Sequence, residues 1–309
     1  MARLFYFLFV APLSHLPLCI LYRISDLLYI LLITLIPYRK KVIEENILRS
    51  FPALGKSERT KLKRDFYRHF ADILIEGIKN LSISKVELEK RMILQNPEIM
   101  GDLFAKNKNV ILVSGHFNNW EWLITAQSFL IPHKAFGIGM PLTNQFWDKK
   151  LMERRSRFGM SVIHSKNYKS ELMNYTKKPF AVLTLSDQAP GDSTKSYWTD
   201  FLNQKTPVLF GTEFMANEFD LAVVYFTIHK VKRGYYSLEL KLLSDKPKTL
   251  DYGYLTSAYT TLLEKDILLN PSHWLWSHKR WKREIPENLE ILKEQQKEQF
   301  DKRFRSQIK

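Results

Sequence analysis

Short apolar runs alternate with amphipathic segments between residues 109 and 269, and this alternation predicts a sheet flanked by helices. Residues 110–113 form an unbroken apolar run rich in β-branched residues, which is typical of a strand covered on both faces. Lys232-Arg233-Gly234 is a turn signal between the last two strands, so these should form an antiparallel hairpin in a mixed, mostly parallel sheet. Strands are predicted at Val110–Ser114, Lys134–Gly139, Met160–His164, Phe180–Ser186, Leu221–Lys230 and Tyr235–Leu243, with helices at Trp120–Leu130, Thr143–Phe158, Lys169–Lys177, Thr212–Glu218 and Tyr252–Leu269.

The most apolar part of the chain, residues 4–37, is predicted to be a helical membrane anchor. Leu16–Ile36 is long enough to cross a bilayer, although it contains Arg23 and Asp26, which are one turn apart and able to pair. Cations follow directly at Arg39, and by the positive-inside rule they place the rest of the chain on the cytoplasmic side. The anchor either spans the membrane or lies deep in its interface. The alternative is an amphipathic helix pair packed on the body.

The same pattern divides the chain into three parts. Residues 1–38 are the predicted anchor, residues 39–283 the α/β domain, and residues 284–309 a charged C-terminal helix or tail. The domain opens with a helical region, in which a cap at Ser57 starts a long helix with one apolar and one basic face. The basic face carries Lys61, Lys63, Arg64 and Arg68 and is either simply solvated or directed at anionic headgroups.

The composition predicts that the protein binds an anionic partner. The formal net charge is +15, and the basic residues are spread along helices instead of alternating with aromatics on strands, which argues against nucleic acid. An anionic membrane surface or an acidic carrier protein fits the charge. The one cysteine, Cys19, excludes an internal disulfide, and neither a Cys pair nor a His-x3-His pair is present to suggest a metal. A Gly-rich phosphate loop is also absent from the sequence.

The strongest candidate chemistry follows the first predicted strand of the domain. His116 lies in the turn after that strand, Asn118 and Asn119 are good helix N-caps, and Glu121 falls in the first helical turn. The chain can fold back there and bring the Glu121 carboxylate to the imidazole of His116. A carboxylate on one ring nitrogen fixes the tautomer and leaves the other nitrogen as a general base. On spacing alone, the simpler interpretation is favoured, in which either residue merely caps the helix.

Two further polar stretches are candidates for substrate contacts. Arg155 and Arg157 lie in a cluster of three arginines late in a predicted helix, where they either complement the helix dipole or bind a phosphate or oxyanion. Asp187 and Gln188 follow a predicted strand, at the kind of position that lines the ligand crevice of a parallel sheet. A turn-forming role for Asp187 is the alternative.

These motifs resemble those of a known family. Gly115 to Trp122, read as Gly-His-Phe-Asn-Asn-Trp-Glu-Trp, resembles the His-x4-Asp/Glu signature of glycerolipid acyltransferases as it occurs in the lipid A biosynthesis (lauroyl/myristoyl) acyltransferase family. Arg155 and Arg157 match an Arg-x-Arg of that family, and Asp187-Gln188 match an Asp-Gln. Residues 274–282 are similar to its closing Trp-Leu-Trp-x-His-x-Arg-Trp/Phe-Lys, whereas Leu202-Asn203 depart from its usual Phe-Phe-Gly.

The resemblance implies a glycerolipid acyltransferase-like fold and an O-acyltransferase at the inner membrane. His116 would be the general base and Glu121 would orient it; the expected substrate- or oxyanion-binding residues are Arg155, Arg157, Asp187, Gln188 and Asn119. The implied donor is an acyl-carrier-protein thioester, with acyl-CoA as the other option, and the implied acceptor is a lipid A precursor. No cofactor or metal is expected. Alternatives are a lysophospholipid or aminolipid acceptor, or a non-enzymatic basic membrane-binding protein.

Overall fold

A seven-stranded mixed sheet forms the centre of the computed structural model, which describes residues 2–36 and 38–305. The strand order is β1-β9-β8-β2-β5-β3-β4, and β8 with β9 is an antiparallel hairpin among otherwise parallel neighbours. This confirms the predicted mixed, mostly parallel sheet. The strands are β1 (Met92–Leu94), β2 (Val110–Ser114), β3 (Lys134–Gly139), β4 (Ser161–His164), β5 (Phe180–Leu185), β8 (Ala222–Lys232) and β9 (Tyr235–Ser244), and a separate two-stranded ribbon contains β6 (Tyr197–Phe201) and β7 (Gln204–Val208).

Helices cover both faces of the sheet. Their bounds are α1 (Ala2–Phe5), α2 (Ala11–His15), α3 (Leu18–Thr34), α4 (Lys40–Ser50), α5 (Lys56–Lys79), α6 (Lys85–Arg91), α7 (Glu98–Ala105), α8 (Trp120–Leu130), α9 (Gln145–Ser156), α10 (Tyr168–Met173), α11 (Gly211–Phe219), α12 (Tyr254–Leu269) and α13 (Leu289–Phe304). A π-helical turn, Tyr6–Val10, joins α1 to α2. Short 3-10 turns occur at Ser193–Lys195, Pro247–Thr249 and Pro271–His273.

Strand β2 is the centre of the core, and its side chains alternate between two apolar clusters. Ile111 and Val113 pack with α5, α11 and α12 on one face, whereas Val110 and Leu112 pack with α7 and α8 on the other. All four side chains are buried, which explains why the strand is an unbroken apolar run instead of an alternating one. Burial of each contributes roughly 1.5–3 kcal/mol to the hydrophobic stabilisation. The polar residues after β2 are thereby fixed at the carboxyl edge of the sheet.

The N-terminal helices pack along α5. Tyr22 donates a hydrogen bond of 2.7 Å to Glu76, and Ser25 donates one of 2.8 Å to Asp72, so α3 is tied to α5 by buried carboxylates. Within residues 2–36 and 38–305, no helix combines the length and the apolar character that crossing a bilayer requires. Asp26, which the sequence showed to be within reach of Arg23, lies 2.8 Å from Arg233 in the β8–β9 turn instead. Apolar side chains nevertheless remain exposed along this region, at Leu4, Phe5, Phe7, Leu8, Phe9, Ile20, Leu27, Ile30, Leu35 and Ile36.

Candidate active site

His116 and Asp187 meet at the carboxyl edge of the central sheet. Strands β2 and β5 are parallel neighbours, so the residues that follow them leave the sheet side by side. Nδ1 of His116 lies 2.6 Å from Oδ1 of Asp187, and the backbone N–H of His116 donates to Oδ2 at 2.8 Å. The side chain at residue 115 must be absent for this contact, because a Cβ on Gly115 would lie 2.9 Å from the Asp187 carboxylate.

The Asp187 carboxylate is buried and fully engaged. Its Oδ2 also accepts a hydrogen bond of 2.8 Å from the indole N–H of Trp274. Burial alone raises the pKa of Asp187, but the nearby His116 and the hydrogen bonds to the carboxylate outweigh it and lower the pKa to about 2. The carboxylate is therefore ionised at neutral pH and can stabilise a positive charge on the imidazole.

The second ring nitrogen of His116 is free for chemistry. Because Nδ1 donates to Asp187, Nε2 is the acceptor of the ring, and the side-chain nitrogen of Gln188 lies 3.3 Å from it. The His116 side chain is 16% exposed, and its ring packs edge-on against Trp120 at a centroid distance of 5.1 Å. A neutral imidazole with one nitrogen held by a carboxylate and the other directed toward substrate can act as a general base.

Glu121 does not hold His116, so that prediction is wrong. Its carboxylate lies 2.5 Å from Nη2 of Arg154 and 2.5 Å from Nη2 of Arg155 instead. Burial raises the pKa of Glu121, but the two guanidinium groups lower it to about 2, with a smaller contribution from His116. The physical reason is that Asp187 already occupies Nδ1 of His116, while α8 directs Glu121 toward the arginines of α9.

Two of the other residues that were predicted to bind substrate, Arg157 and Asn119, form hydrogen bonds within the protein. Arg157 donates to the backbone carbonyls of Asn80 and Ile83 at 2.8 and 3.0 Å, away from His116. Asn119 is fully buried and caps α8 as predicted, because its Oδ1 accepts from the backbone N–H of Trp122. The amide nitrogen of Asn119 donates to Glu76, which is also buried, so Asn119 supports the helix that carries Glu121. The structure thus brings Asp187 and Gln188 to His116, and Arg155 to Glu121, but brings neither Arg157 nor Asn119 to the histidine.

Sequence reasoning missed two polar residues behind Asp187. Nε2 of His278 accepts a hydrogen bond of 2.9 Å from the backbone N–H of Ala189, and burial lowers the pKa of His278 to about 4. Arg280 is only 1% exposed, and its Nη2 donates to the carbonyl of Pro207 at 2.7 Å. Its Nε and Nη1 have no hydrogen-bond partner among the described residues. The signal for both was the His-x-Arg that interrupts a tryptophan-rich segment.

An apolar cavity of about 500 Å³ lies beside the site. Its walls come from the N-terminal helices, α5 and α9, and they include Val10, Ile73, Leu74, Ile78 and Leu151. Trp120, Glu121 and Arg154 line it as well, and Trp120 is the residue that contacts the His116 ring. The cavity can therefore hold an apolar chain whose polar end approaches the histidine. In the described part of the chain, no group of three or more His, Cys, Asp or Glu residues is arranged to hold a metal ion.

Comparison with known proteins shows which family the chain belongs to. Residues 2–283 match the family described as bacterial lipid A biosynthesis acyltransferase. The class is therefore that of an acyltransferase. The chain belongs to the bacterial lipid A biosynthesis acyltransferase family, which confirms the resemblance. The lipid A biosynthesis lauroyltransferase of Escherichia coli (strain K12) is 23% identical over 274 residues, which cover 87% of this chain and 87% of that protein.

Proposed function

We propose that this protein transfers a fatty acyl chain from an acyl-carrier-protein thioester to a hydroxyl group of a lipid A precursor, with His116 as the general base. The observation that carries the proposal is the contact of 2.6 Å between Nδ1 of His116 and Asp187, which leaves Nε2 free next to an apolar cavity. The family match supports acyl transfer in lipid A biosynthesis.

The reaction needs one base and no covalent enzyme intermediate. Nε2 of His116 takes the proton of the acceptor hydroxyl as the oxygen attacks the thioester carbonyl. The imidazolium that forms is stabilised by the ionised carboxylate of Asp187. When the tetrahedral intermediate collapses, the carbon–sulfur bond breaks and His116 returns the proton to the leaving thiolate. The products are an ester and the free thiol of the carrier.

Gln188 is the proposed donor to the developing oxyanion. Its amide nitrogen lies 3.3 Å from Nε2 of His116, and an amide N–H can turn from the ring to a nearby oxyanion once substrate is bound. For this role, the Gln188 amide must reach the oxygen of the thioester carbonyl that is attacked next to Nε2 of His116.

Arg154 and Arg155 are the proposed contacts for a phosphate of the acceptor. Glu121 holds both guanidinium groups, whose side chains are 15% and 19% exposed. Two arginines share one carboxylate here, so a phosphate dianion can still find N–H donors and positive charge at this position. Glu121 thus orients the arginines and not the histidine.

The donor and the membrane are assigned from shape and charge. The apolar cavity of about 500 Å³ accommodates the fatty acyl chain, while the net charge of +15 favours an acidic carrier protein and an anionic membrane surface. The exposed apolar side chains of the N-terminal helices, such as Phe7, Leu8 and Leu27, would enter the cytoplasmic face of the inner membrane. Membrane association in this form is interfacial.

Reconstitution tests the proposal directly. The purified full chain is mixed in neutral detergent with acyl-carrier-protein thioester and a lipid A precursor, and the products are identified by mass spectrometry. Parallel reactions replace the donor with acyl-CoA and the acceptor with a lysophospholipid or an aminolipid. We expect ester formation with the first pair and none with His116→Ala that retains the wild-type unfolding temperature. Turnover by folded His116→Ala would overturn the assignment of the base, and preference for another acceptor would overturn the substrate.

A further inference from the structure

A second concave site lies along the N-terminal part of α5, whereas the apolar cavity is lined by the C-terminal part of this helix. It has a volume of about 610 Å³ and is lined on α5 by Lys56, Lys61, Arg64 and Arg68, with Tyr29 of α3 at its edge. All four cations are exposed. The only carboxylate that lines the pocket is Asp65, which lies 2.7 Å from Lys61. Four positive charges therefore face one negative charge, and the lining carries a net charge of +3.

The positive charge of this pocket is largely uncompensated. Lys56 and Arg64 form no ion pair or hydrogen bond with an acid in the part of the chain that the structure describes, and the guanidinium of Arg68 is stacked over the Tyr29 ring at 4.9 Å. A group of exposed like charges is unfavourable unless an anion binds among them. The contrast on the same helix is Lys63, which lies outside the pocket and is paired with Glu44 at 2.5 Å.

Apolar side chains lie next to this basic pocket. Helix α3 runs antiparallel to α5, because Tyr22 contacts Glu76 near one end while Tyr29 contacts Arg68 toward the other. The C-terminal half of α3 thus lies along the pocket. Next to Tyr29 the Ile30 side chain is 51% exposed. Leu27 and Leu35, before and after it in the chain, are 58% and 74% exposed, and the three residues are called the apolar stripe of α3 below.

We infer that the pocket formed by Lys56, Lys61, Arg64 and Arg68 binds the phosphate headgroup of an anionic phospholipid at the membrane surface. An acidic protein would neutralise the cations but would leave the apolar stripe of α3 in water. An anionic phospholipid satisfies both surfaces, since its phosphate meets the guanidinium and ammonium groups while the neighbouring acyl chains receive Leu27, Ile30 and Leu35. The inference rests on the membrane association in the proposed function, but not on the acyl-transfer reaction.

This headgroup site would also set how the enzyme sits on the membrane. The pocket and the apolar cavity are lined by different parts of α5, residues 56–68 and residues 70–78 respectively. A fixed headgroup contact at the first part would hold the helix, and therefore the cavity entrance, in one orientation relative to the bilayer. Nonspecific attraction by a net charge of +15 would not select an orientation.

Vesicle flotation of the full chain tests the inference. The double variant K56E/R64E is compared with wild type and with K106E/K248E, which reverses two exposed lysines outside the pocket and so makes the same change in net charge. Binding is measured on phosphatidylcholine vesicles with and without phosphatidylglycerol. Each membrane-facing cation contributes about five-fold to partitioning, so we expect K56E/R64E to weaken binding to the anionic vesicles by roughly twenty-fold or more. The control should change it far less, and the difference should shrink in high salt.

Three outcomes would overturn the inference. The first is an equal loss in K56E/R64E and K106E/K248E, which would make the effect one of net charge. The second is an equal loss on vesicles without phosphatidylglycerol, which would mean that the pocket does not recognise the anionic headgroup. The third is normal vesicle binding with weakened binding of acyl carrier protein, which would assign the pocket to the carrier. Turnover of K56E/R64E in neutral detergent should remain at the wild-type rate, so a failure here is distinguishable from a failure of the acyl-transfer proposal.

Discussion

Asp187 holds His116 at a distance of 2.6 Å, although the two residues are 71 positions apart in the chain. The carboxylate that is only five residues away in sequence, Glu121, binds Arg154 and Arg155 instead. The sequence motif suggested that Glu121 would orient His116, but in the structure Asp187 contacts the histidine and Glu121 contacts the arginines. In the proposed reaction, Asp187 controls the protonation of His116, and Glu121 controls the position of the arginines.

Substitutions at the two carboxylates should therefore affect different kinetic constants. Asp187→Asn replaces an acceptor of the Nδ1–H with a neutral amide, so the imidazolium loses its stabilisation and kcat should fall about 10²–10⁴-fold. Glu121→Gln leaves the pair of His116 and Asp187 intact but loosens Arg155, so it should mainly raise the KM for the acceptor. Steady-state kinetics in detergent measure both constants. If Glu121→Gln loses kcat as severely as Asp187→Asn, the separation of roles is incorrect.

The sequence located both His116 and Asp187 but not their pairing, and the reason is the order of the strands in the sheet. The strand Val110–Ser114 and the turn after it follow from local composition, so His116 could be placed at a strand end. Asp187 could be placed at the end of β5 in the same way. Their contact depends on β5 lying next to β2 in the sheet, although β3 and β4 come between them in the chain. Local periodicity contains no information on that order.

Shorter and more exposed elements were also missed. Strand β1 has three residues and the β6–β7 ribbon lies outside the main sheet, so neither produces a long apolar run. In the N-terminal segment, hydropathy alone did not separate two faces: Leu21 and Leu32 pack in the protein interior, whereas Leu27 and Ile30 stay exposed. The membrane anchor stays a prediction.

Arg157 should be important for stability and not for substrate use. Its guanidinium donates to the backbone carbonyls of Asn80 and Ile83 after the C-terminal end of α5, so Arg157→Ala leaves both carbonyls without this donor. We expect a loss of about 1.5–3 kcal/mol in the free energy of unfolding with little change in the KM for the acceptor. Arg155→Ala should show the reverse pattern. Denaturant unfolding and kinetics on the two variants check this, and an increase in KM for Arg157→Ala beyond that of Arg155→Ala would contradict it.

A larger residue at position 77 should shorten the acyl chain that the enzyme prefers. Gly77 lines the apolar cavity, and a Cβ there would have only one contact, with Nη1 of Arg154 at 3.9 Å. The Cβ of Gly77→Leu therefore fits, and the rest of the side chain should occupy part of the cavity that Gly77 lines. Rates with acyl-carrier-protein donors of increasing chain length should fall at a shorter chain than in the wild-type enzyme. The matched control is Gly101→Leu in α7, where nothing lies within 4 Å, and an unchanged chain-length profile in Gly77→Leu would exclude this cavity as the acyl site.

Arg280 should set the lower pH limit of activity. Its guanidinium is buried behind the carboxylate of Asp187, and although burial lowers the pKa of Arg280 to about 10, attraction to Asp187 opposes that decrease. The same attraction favours the ionised form of Asp187. Removal of the cation should therefore raise the pKa of Asp187 from about 2. Because the reaction needs an ionised carboxylate at Asp187, this change moves the acidic limb of the pH–rate profile to higher pH.

Arg280→Gln and Arg280→Lys separate charge from packing at this position. We expect the acidic limb of Arg280→Gln to move up by about one pH unit, with most of the lost activity recovered at higher pH. Arg280→Lys keeps the positive charge and should therefore leave the acidic limb of the pH–rate profile where it is in the wild type. This holds even if the lost hydrogen bond to Pro207 lowers the unfolding temperature. His278 also faces Asp187, but burial holds its pKa near 4, so it is neutral over the range measured. A loss of activity in Arg280→Gln that is uniform across pH would mean that Arg280 only supports the fold.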